Sequence, residues 1–380
     1  MKLIDLCIDK AKYGINASAV EKTKDEDISY LRITDIKENN ELNSKLTKTV
    51  KKGTSISNYL LKENDIVFAR TGNSVGKNYF YDLRDGKIIY AGFLVKFSIN
   101  PQKVYPKYIK YYMQSYKVQK WIKNVASDGS TRPNINAKQL GQIPISLPSK
   151  EIQEKIANSL WMIDTKIKLN NQINDNLVEL INLIYLKFCA DFPAKEKVSL
   201  DDVFNTSTKT FNVNENKNIN IWHFSIPNFD CNKQPQCEST NSIKSNKKKV
   251  NSFGVLVSKL NPNFKRIWAP NLDFYSNYSP IASPEFIQIN GNSQEEQALI
   301  FCILNSEEYT DFLVSNATGS TNSRQRVKPK IAVSYIIPFD LDKKKGLESL
   351  VSPILKDIQQ REFENTKLQI IKDTLLNKYF

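Results

Sequence analysis

Residues 149–190 read SKEIQEKIANSLWMIDTKIKLNNQINDNLVELINLIYLKFCA, and their pattern decides the fold. Ser149 follows Pro148 and suits a helix N-cap. Glu151 stands in the first turn, where the helix dipole favours an acid. Buried-type positions then recur at spacings of three and four: Ile156, Leu160, Ile163, Ile167, Asn170, Asn174, Leu177, Ile181, Ile184 and Phe188. That alternation is the seam of an amphipathic, coiled-coil-like helix, and about 40 residues at 1.5 Å each span roughly 60 Å. Two asparagines at the centre of such a seam cost stability and fix register or partner orientation.

Residues 346–380 repeat the plan less cleanly: Ile354, Ile358, Arg361, Asn365, Leu368, Lys372, Leu375 and Tyr379, with Asn365 in the place of Asn174. Neither helix buries its stripe alone. Packing the two on each other, antiparallel, covers both seams and leaves other faces for a partner.

The stretches before each helix also repeat. Gly129-Ser130-Thr131 recurs as Gly319-Ser320-Thr321. Each triplet follows a helical stretch (Pro106 to Val125, Gln294 to Asn316) and precedes an Ile-Pro pair (Ile143-Pro144, Ile337-Pro338). Short strands are expected at Tyr30–Thr34, Asp65–Ala69 and Phe93–Phe97, and again at Gly254–Val257 and Phe286–Ile289. Residues 230–252, with Lys247-Lys248-Lys249, read as an exposed loop. The expected architecture is mixed α/β: a globular domain at 1–148, a long central helix at 149–190, a second domain of similar fold at 191–345 and a second long helix at 346–380.

Composition excludes several chemistries. The 380 residues hold one histidine, His223, and five scattered cysteines, Cys7, Cys189, Cys231, Cys237 and Cys302. A structural zinc needs four closely spaced ligands, so zinc is not expected, nor is a disulfide framework; a reducing cytoplasm fits. No run approaches the ~18 apolar residues of a membrane span. The N-terminus carries no secretory signal pattern. The net charge is +14, with only eight arginines among 54 basic residues, and part of that lysine excess reflects an AT-rich genome. Position is more informative than the total. Residues 1–150 carry net +12 and 191–345 net +3, while 151–190 and 346–380 are near neutral. Charge divided this way points to a polyanion for the globular domains and to protein contacts for the helices.

Three polar clusters stand out. Arg70-Thr71-Gly72-Asn73-Ser74-Val75-Gly76-Lys77 follows a strand but lacks the spacing of a nucleotide-binding P-loop. Ser127–Asn134 contains Ser130, Thr131, Arg132 and Asn134. Thr318–Arg326 contains Ser320, Thr321, Asn322, Arg324, Gln325 and Arg326. Arginine with Asn or Gln is the set that makes bidentate contacts to guanine and adenine edges. Four of the eight arginines fall in these clusters. Lys51, Lys52, Lys259, Lys265 and Arg266 complete the expected DNA-binding set. Asn261-Pro262-Asn263-Phe264 is similar to the tetrapeptide of adenine methyltransferases but lacks its second proline and any glycine-rich cofactor loop, so it reads as a turn.

Together these parts resemble the specificity subunits of type I restriction–modification systems. The resemblance rests on Leu61–Gly72 with Val75-Gly76-Lys77, on Gly129–Ile135, and on Ile143–Pro148 running into Glu151–Ala157. In the second half it rests on Ser258–Pro262 with Arg266-Ile267-Trp268. It implies two target-recognition domains, each reading one half of a split double-stranded DNA site, held apart by two antiparallel helices. It implies two modification (methyltransferase) subunits on those helices and, in some systems, restriction subunits with ATP-driven translocation. S-adenosylmethionine, ATP and Mg would then reside on the partners, with no cofactor, metal or catalytic residue here. The second domain departs from the pattern, having Lys259, Lys265 and Arg266 where the first has Arg-Thr-Gly…Gly-Lys. Two other readings remain: a self-sufficient methyltransferase or nuclease with duplicated DNA-binding lobes, and a scaffold that binds no DNA.

Overall fold

The computed structural model describes residues 1–23, 28–43, 46–126, 133–206, 208–319 and 325–380. Ser130, Thr131, Arg132, Ser320, Thr321, Asn322 and Arg324 lie outside the described residues. The chain forms two compact units, Met1–Thr165 with Gln369–Phe380, and Lys166–Leu368.

The first unit is built on a four-stranded antiparallel sheet. Its two central strands are β1 (Asp65–Ala69) and β3 (Leu94–Ser98), with β2 (Asn78–Phe80) and Lys12–Tyr13 at the edges. Both central strands are covered on both faces. Successive side chains point to opposite sides, so Ile66, Phe68, Val95 and Phe97 enter one core, and Val67, Ala69 and Leu94 enter another. On the second face Lys96 and Asp65 form a buried ion pair at 3.0 Å. Asp65 also accepts from Ser98 Oγ at 2.6 Å and from the Lys62 amide at 2.8 Å, which satisfies the carboxylate inside.

The helix expected after Pro106 is two helices, α1 (Pro106–Tyr112) and α2 (Tyr116–Ala126). Ser115 makes the break: its hydroxyl donates to Tyr112 O at 2.7 Å and accepts from Val118 N at 3.4 Å, the pattern of a serine N-cap. Helix α3 (Lys150–Asp191) then begins, and Ile156, Ala157 and Leu160 enter the first core together with Leu376. Phe380 packs against Tyr108 at a tilt and against Tyr112 edge-on. Beneath these rings Asp164 pairs with Lys372 at 2.7 Å and Lys110 at 3.1 Å, and accepts from Tyr111 Oη at 2.8 Å. Burial pushes the Asp164 carboxyl up, but the two lysines and their hydrogen bonds outweigh it and hold it below the usual carboxylate range. That cluster pins residues 369–380 against α3.

The second unit has a three-stranded antiparallel sheet with β4 (Gly254–Ser258) between β5 (Ile267–Trp268) and β6 (Phe286–Asn290). Val255, Val257, Ile287 and Ile289 face the main core, while Leu256, Trp268 and Phe286 face a second, aromatic one. Helix α4 (Gln294–Asn305) is buried along its length from Gln297 to Asn305. As after Pro106, the expected helix from Gln294 to Asn316 breaks at a serine: Ser306 caps α5 (Glu307–Ser315), accepting from Tyr309 N.

Residues 230–252 are not an exposed loop. They contribute Gln236–Ser239 and Lys247–Lys249 to a five-stranded sheet with Asn220–Phe224, Ser279–Ala282 and Thr210–Phe211. Three consecutive lysines conceal a strand along which burial falls from Lys247, buried, through Lys248, half-buried, to Lys249, exposed. Lys247 is buried, and its ammonium donates to Ser245 O and Oγ, both at 2.8 Å.

Helix α6 (Lys344–Tyr379) closes the chain. Within the second unit it runs antiparallel to α3: Asn170 donates to Asn365 Oδ1 and to Glu364 Oε2, both at 2.8 Å, and Asn365 donates to Asn171 Oδ1 at 2.9 Å. Asn174 reaches Ile358 O at 3.4 Å. Of the seam residues, Ile167, Asn170, Asn174 and Ile358 are buried, and Ile163, Leu177, Leu368 and Leu375 are half-buried. The buried stripe of α6 is Leu347, Val351, Leu355, Ile358 and Asn365 in the second unit, with Lys372 and Leu376 in the first. It lies about one residue on from Ile354 and Leu375, and Tyr379 is exposed. Leu347, Val351 and Leu355 are drawn into the main core of the second unit, which the seam pattern alone does not include.

Candidate nucleic-acid interface

Arg70 ends β1, and the loop behind it is tied to the stretch after Arg132. Ile135 N donates to Arg70 O and Gly72 N to Pro133 O, each at 2.9 Å. Two of the three polar clusters read from the sequence are thus one structure. The loop closes on itself through Val75 N to Gly72 O at 3.1 Å and Ala69 N to Lys77 O at 2.8 Å. Both glycines sit at left-handed values that cost most side chains energy, φ 68° at Gly72 and φ 90° at Gly76. A Cβ at Gly76 would also lie 2.9 Å from Gln119 Oε1 and 3.2 Å from Ile122 Cγ2.

The second unit builds the same device from other residues. Val327 N donates to Lys259 O at 2.9 Å and Asn261 N to Gln325 O at 2.8 Å. Ser258 N donates to Arg266 O at 3.0 Å, as Ala69 N does to Lys77 O. Lys259 N donates to Glu285 O at 3.0 Å, as Arg70 N does to Phe93 O at 3.1 Å. The left-handed positions recur as Asn261 (φ 49°) and Lys265 (φ 46°). Residues 70, 72, 76 and 77 therefore correspond to 259, 261, 265 and 266, and 133–135 to 325–327. The tetrapeptide at Asn261–Phe264 is the turn of this loop, with a 3₁₀ turn over Pro262–Phe264.

The chemistry differs between the two. Among the described residues Arg70 has no acidic partner. Its guanidinium carbon lies 5.2 Å from the Tyr13 ring and 5.9 Å from the Phe93 ring. It makes long 3.4 Å contacts to Asn134 Oδ1 and Gly92 O. Asn73 and Asn134 are exposed, and Thr71 and Ser74 are half-exposed. Lys77 is neutralised by Glu38 at 2.6 Å.

In the second unit Arg326 pairs with Glu285 at 3.2 Å, Arg266 with Asp230 at 2.5 Å and Lys265 with Glu307 at 2.8 Å. Lys259 is half-exposed with no acidic partner among the described residues. Gln325 joins the pairing through its backbone carbonyl. Lys51 and Lys52 stand exposed in the turn after Lys48–Val50, outside the hydrogen bonds of either loop. Tyr13 and Phe93 escaped the sequence reading. The two aromatic residues lie far from the arginine in sequence, and only strand pairing brings them beside it.

His223 Nδ1 lies 3.4 Å from Glu238 Oε2, and the contact holds the Glu238 carboxyl below its ordinary range. Among the described residues no group of three His, Cys, Asp or Glu side chains is arranged to hold a metal. No helix among them is long and apolar enough to cross a membrane.

Residues 1–179 match the family model of the type I restriction modification DNA specificity domain. The match covers 179 of the 380 residues, so the likeness to that family lies in the N-terminal part of the chain. The specificity subunit of the type I restriction enzyme HindI from Haemophilus influenzae is 27% identical over 140 residues, 36% of this chain and 30% of that protein. A relative from Methanocaldococcus jannaschii is 29% identical over 121 residues, 31% of this chain and 28% of its own length. The matches thus span under a third of either relative. The specificity-domain fold extends beyond the matched half: the S subunit of a type I restriction–modification system from M. genitalium superposes over 100% of this chain and 95% of its own, with TM-score 0.53 at 16% identity.

Proposed function

We propose that this chain is the recognition subunit of a type I modification system, with one target-recognition domain at 1–148 and another at 191–345. Each domain reads one half of a bipartite double-stranded DNA site through its paired loops. The carrying observation is the loop built twice, with four cross-loop backbone hydrogen bonds repeated at corresponding positions and with arginine, lysine, asparagine and glutamine on it. Unrelated side chains holding one backbone geometry are what two readers of different sequences require, because phosphate contacts position a protein while base-edge contacts specify.

The long helices at 149–190 and 346–380 serve as spacers and as the seat of two modification subunits. Support comes from their near-neutral charge and from Leu180, Leu183 and Leu186, which α3 leaves 43%, 64% and 47% exposed. Methyl transfer to adenine, with its S-adenosylmethionine, belongs in this reading to the partners. So do ATP and Mg in systems that add restriction subunits, and this chain works beside them in the cytoplasm without catalysis of its own.

Mapping methylated adenines in the host genome with and without this gene tests the proposal. The expected result is a two-part motif that loses methylation when the gene is deleted; an unchanged methylation map would overturn it. Methyl transfer or DNA cleavage by the purified chain alone would favour the self-sufficient enzyme instead.

A further inference from the structure

Phe93 is 56% exposed at the tip of the turn between Ile88–Tyr90 and β3, closed by Leu94 N donating to Ala91 O at 2.8 Å. An exposed phenyl ring on a soft loop needs no explanation, but this loop is held on every side. Ile15 N donates to Tyr90 O and Gly92 N to Ile15 O, both at 2.9 Å, and Gly14 N to Leu94 O at 3.1 Å. The approach is so close that a Cβ at Gly14 would lie 2.3 Å from the carbonyl oxygens of Tyr90 and Ala91. The same backbone carries Tyr13, 45% exposed, whose hydroxyl accepts from Ala137 N at 3.1 Å, three residues beyond the second polar stretch. A rigid pedestal therefore presents an apolar ring to solvent beside Arg70. In the second unit the corresponding residue is Glu285, occupied by Arg326.

We infer that Phe93 is a wedge that enters the DNA duplex between neighbouring base pairs at the first half-site, with Arg70 on its flank, and that the second half-site is read without one. An apolar ring gains by leaving water for the base stack, and the kink it makes is stabilised by the cationic surface drawn closer. The adjacent guanidinium, which has no acidic partner among the described residues, supplies that cation. The inference rests on the chain being a DNA reader.

The test uses the tagged full chain, isolated from its host with the subunits it carries, and a randomised duplex pool. Wild type is expected to select a two-part site. Phe93→Ala should lose selectivity at one or two adjacent positions of one half only and weaken binding about 10- to 100-fold, the range for removing one base-stacking ring. Phe93→Tyr should restore both, and thermal unfolding should be unchanged in either variant because the ring is exposed. 2-Aminopurine placed at the affected step should brighten with wild type and stay dark with Phe93→Ala. Identical selection by wild type and Phe93→Ala would overturn the wedge and leave DNA reading intact, as would a dark 2-aminopurine with wild type. Selection of no sequence by wild type would overturn both.

Discussion

In the paired loops of the first unit Arg70 lies between Tyr13 and Phe93, with no acidic partner among the described residues. Those of the second unit keep the same backbone bonds but hold Arg326 on Glu285 and Arg266 on Asp230. The contrast shows that the two loops share their backbone pairing and not their side chains; in the proposed reading, charge is tuned separately on each copy. An ion pair on the reading surface lowers the grip on phosphate and presents a donor and an acceptor together. A glutamate accepts from the cytosine amine, and an arginine donates to guanine.

Four measurements break or sharpen that comparison, beginning with the largest effect. Arg70→Ala should cost about 1–3 kcal/mol of DNA binding and relax one half-site, while Lys259→Ala at the matching place should cost less, because a lysine lacks the planar fork. Equal losses, read by titration against a selected duplex, would remove the asymmetry. Next, Gly76→Ala should lower folding stability by about 1–3 kcal/mol through its left-handed backbone and its crowding against Gln119 and Ile122. Lys265→Gly, at the same place in the second unit, should stay within about 1 kcal/mol of wild type, since relief of φ 46° offsets a surface ion pair. Denaturant melts of both variants check this.

Glu285→Gln comes third. Freeing Arg326 should steepen the salt dependence of DNA binding by about one released counterion. The smallest effect concerns pH. Glu362 lines a cavity of about 120 Å³ in the second unit, with Asn174, Asp175, Lys233, Lys265 and Asn305 also on its wall. Burial pushes its carboxyl up to about 7, against the opposing pull of Lys233. Between the ordinary carboxylate range and pH 7 the folded state then holds a proton that the unfolded state has lost. This contribution to stability is therefore present at low pH and fades as pH rises through about 7. Melting temperature should fall over that interval, and Glu362→Gln should flatten the fall.

Much of this was legible in the sequence. The long helix at 150–191 follows from a seam of threes and fours, and strands β1, β3, β4 and β6 from short apolar runs between turn residues. The clusters at 70–77 and 127–134 were found separately by their arginine and asparagine content. Their contact was not readable, because it is a backbone pairing between residues more than fifty positions apart. The strand at Lys247–Lys249 was hidden by charge, since one side chain of three finds a buried polar partner. The acids that neutralise Arg266 and Arg326 lie 36 and 41 residues away, beyond any local pattern. Phe93 read as an ordinary strand residue and Tyr13 drew no reading at all; only their exposure next to Arg70 marks them.

The account stands most directly on which base pairs each loop controls. Sites selected from a randomised duplex by the assembly carrying Arg70→Ala, and by the assembly carrying Arg326→Ala, should each lose information relative to wild type. The expected result is two separate groups of positions, one per variant, with no position shared. Loss at the same positions in both variants, or at none in either, would contradict two independent reading loops.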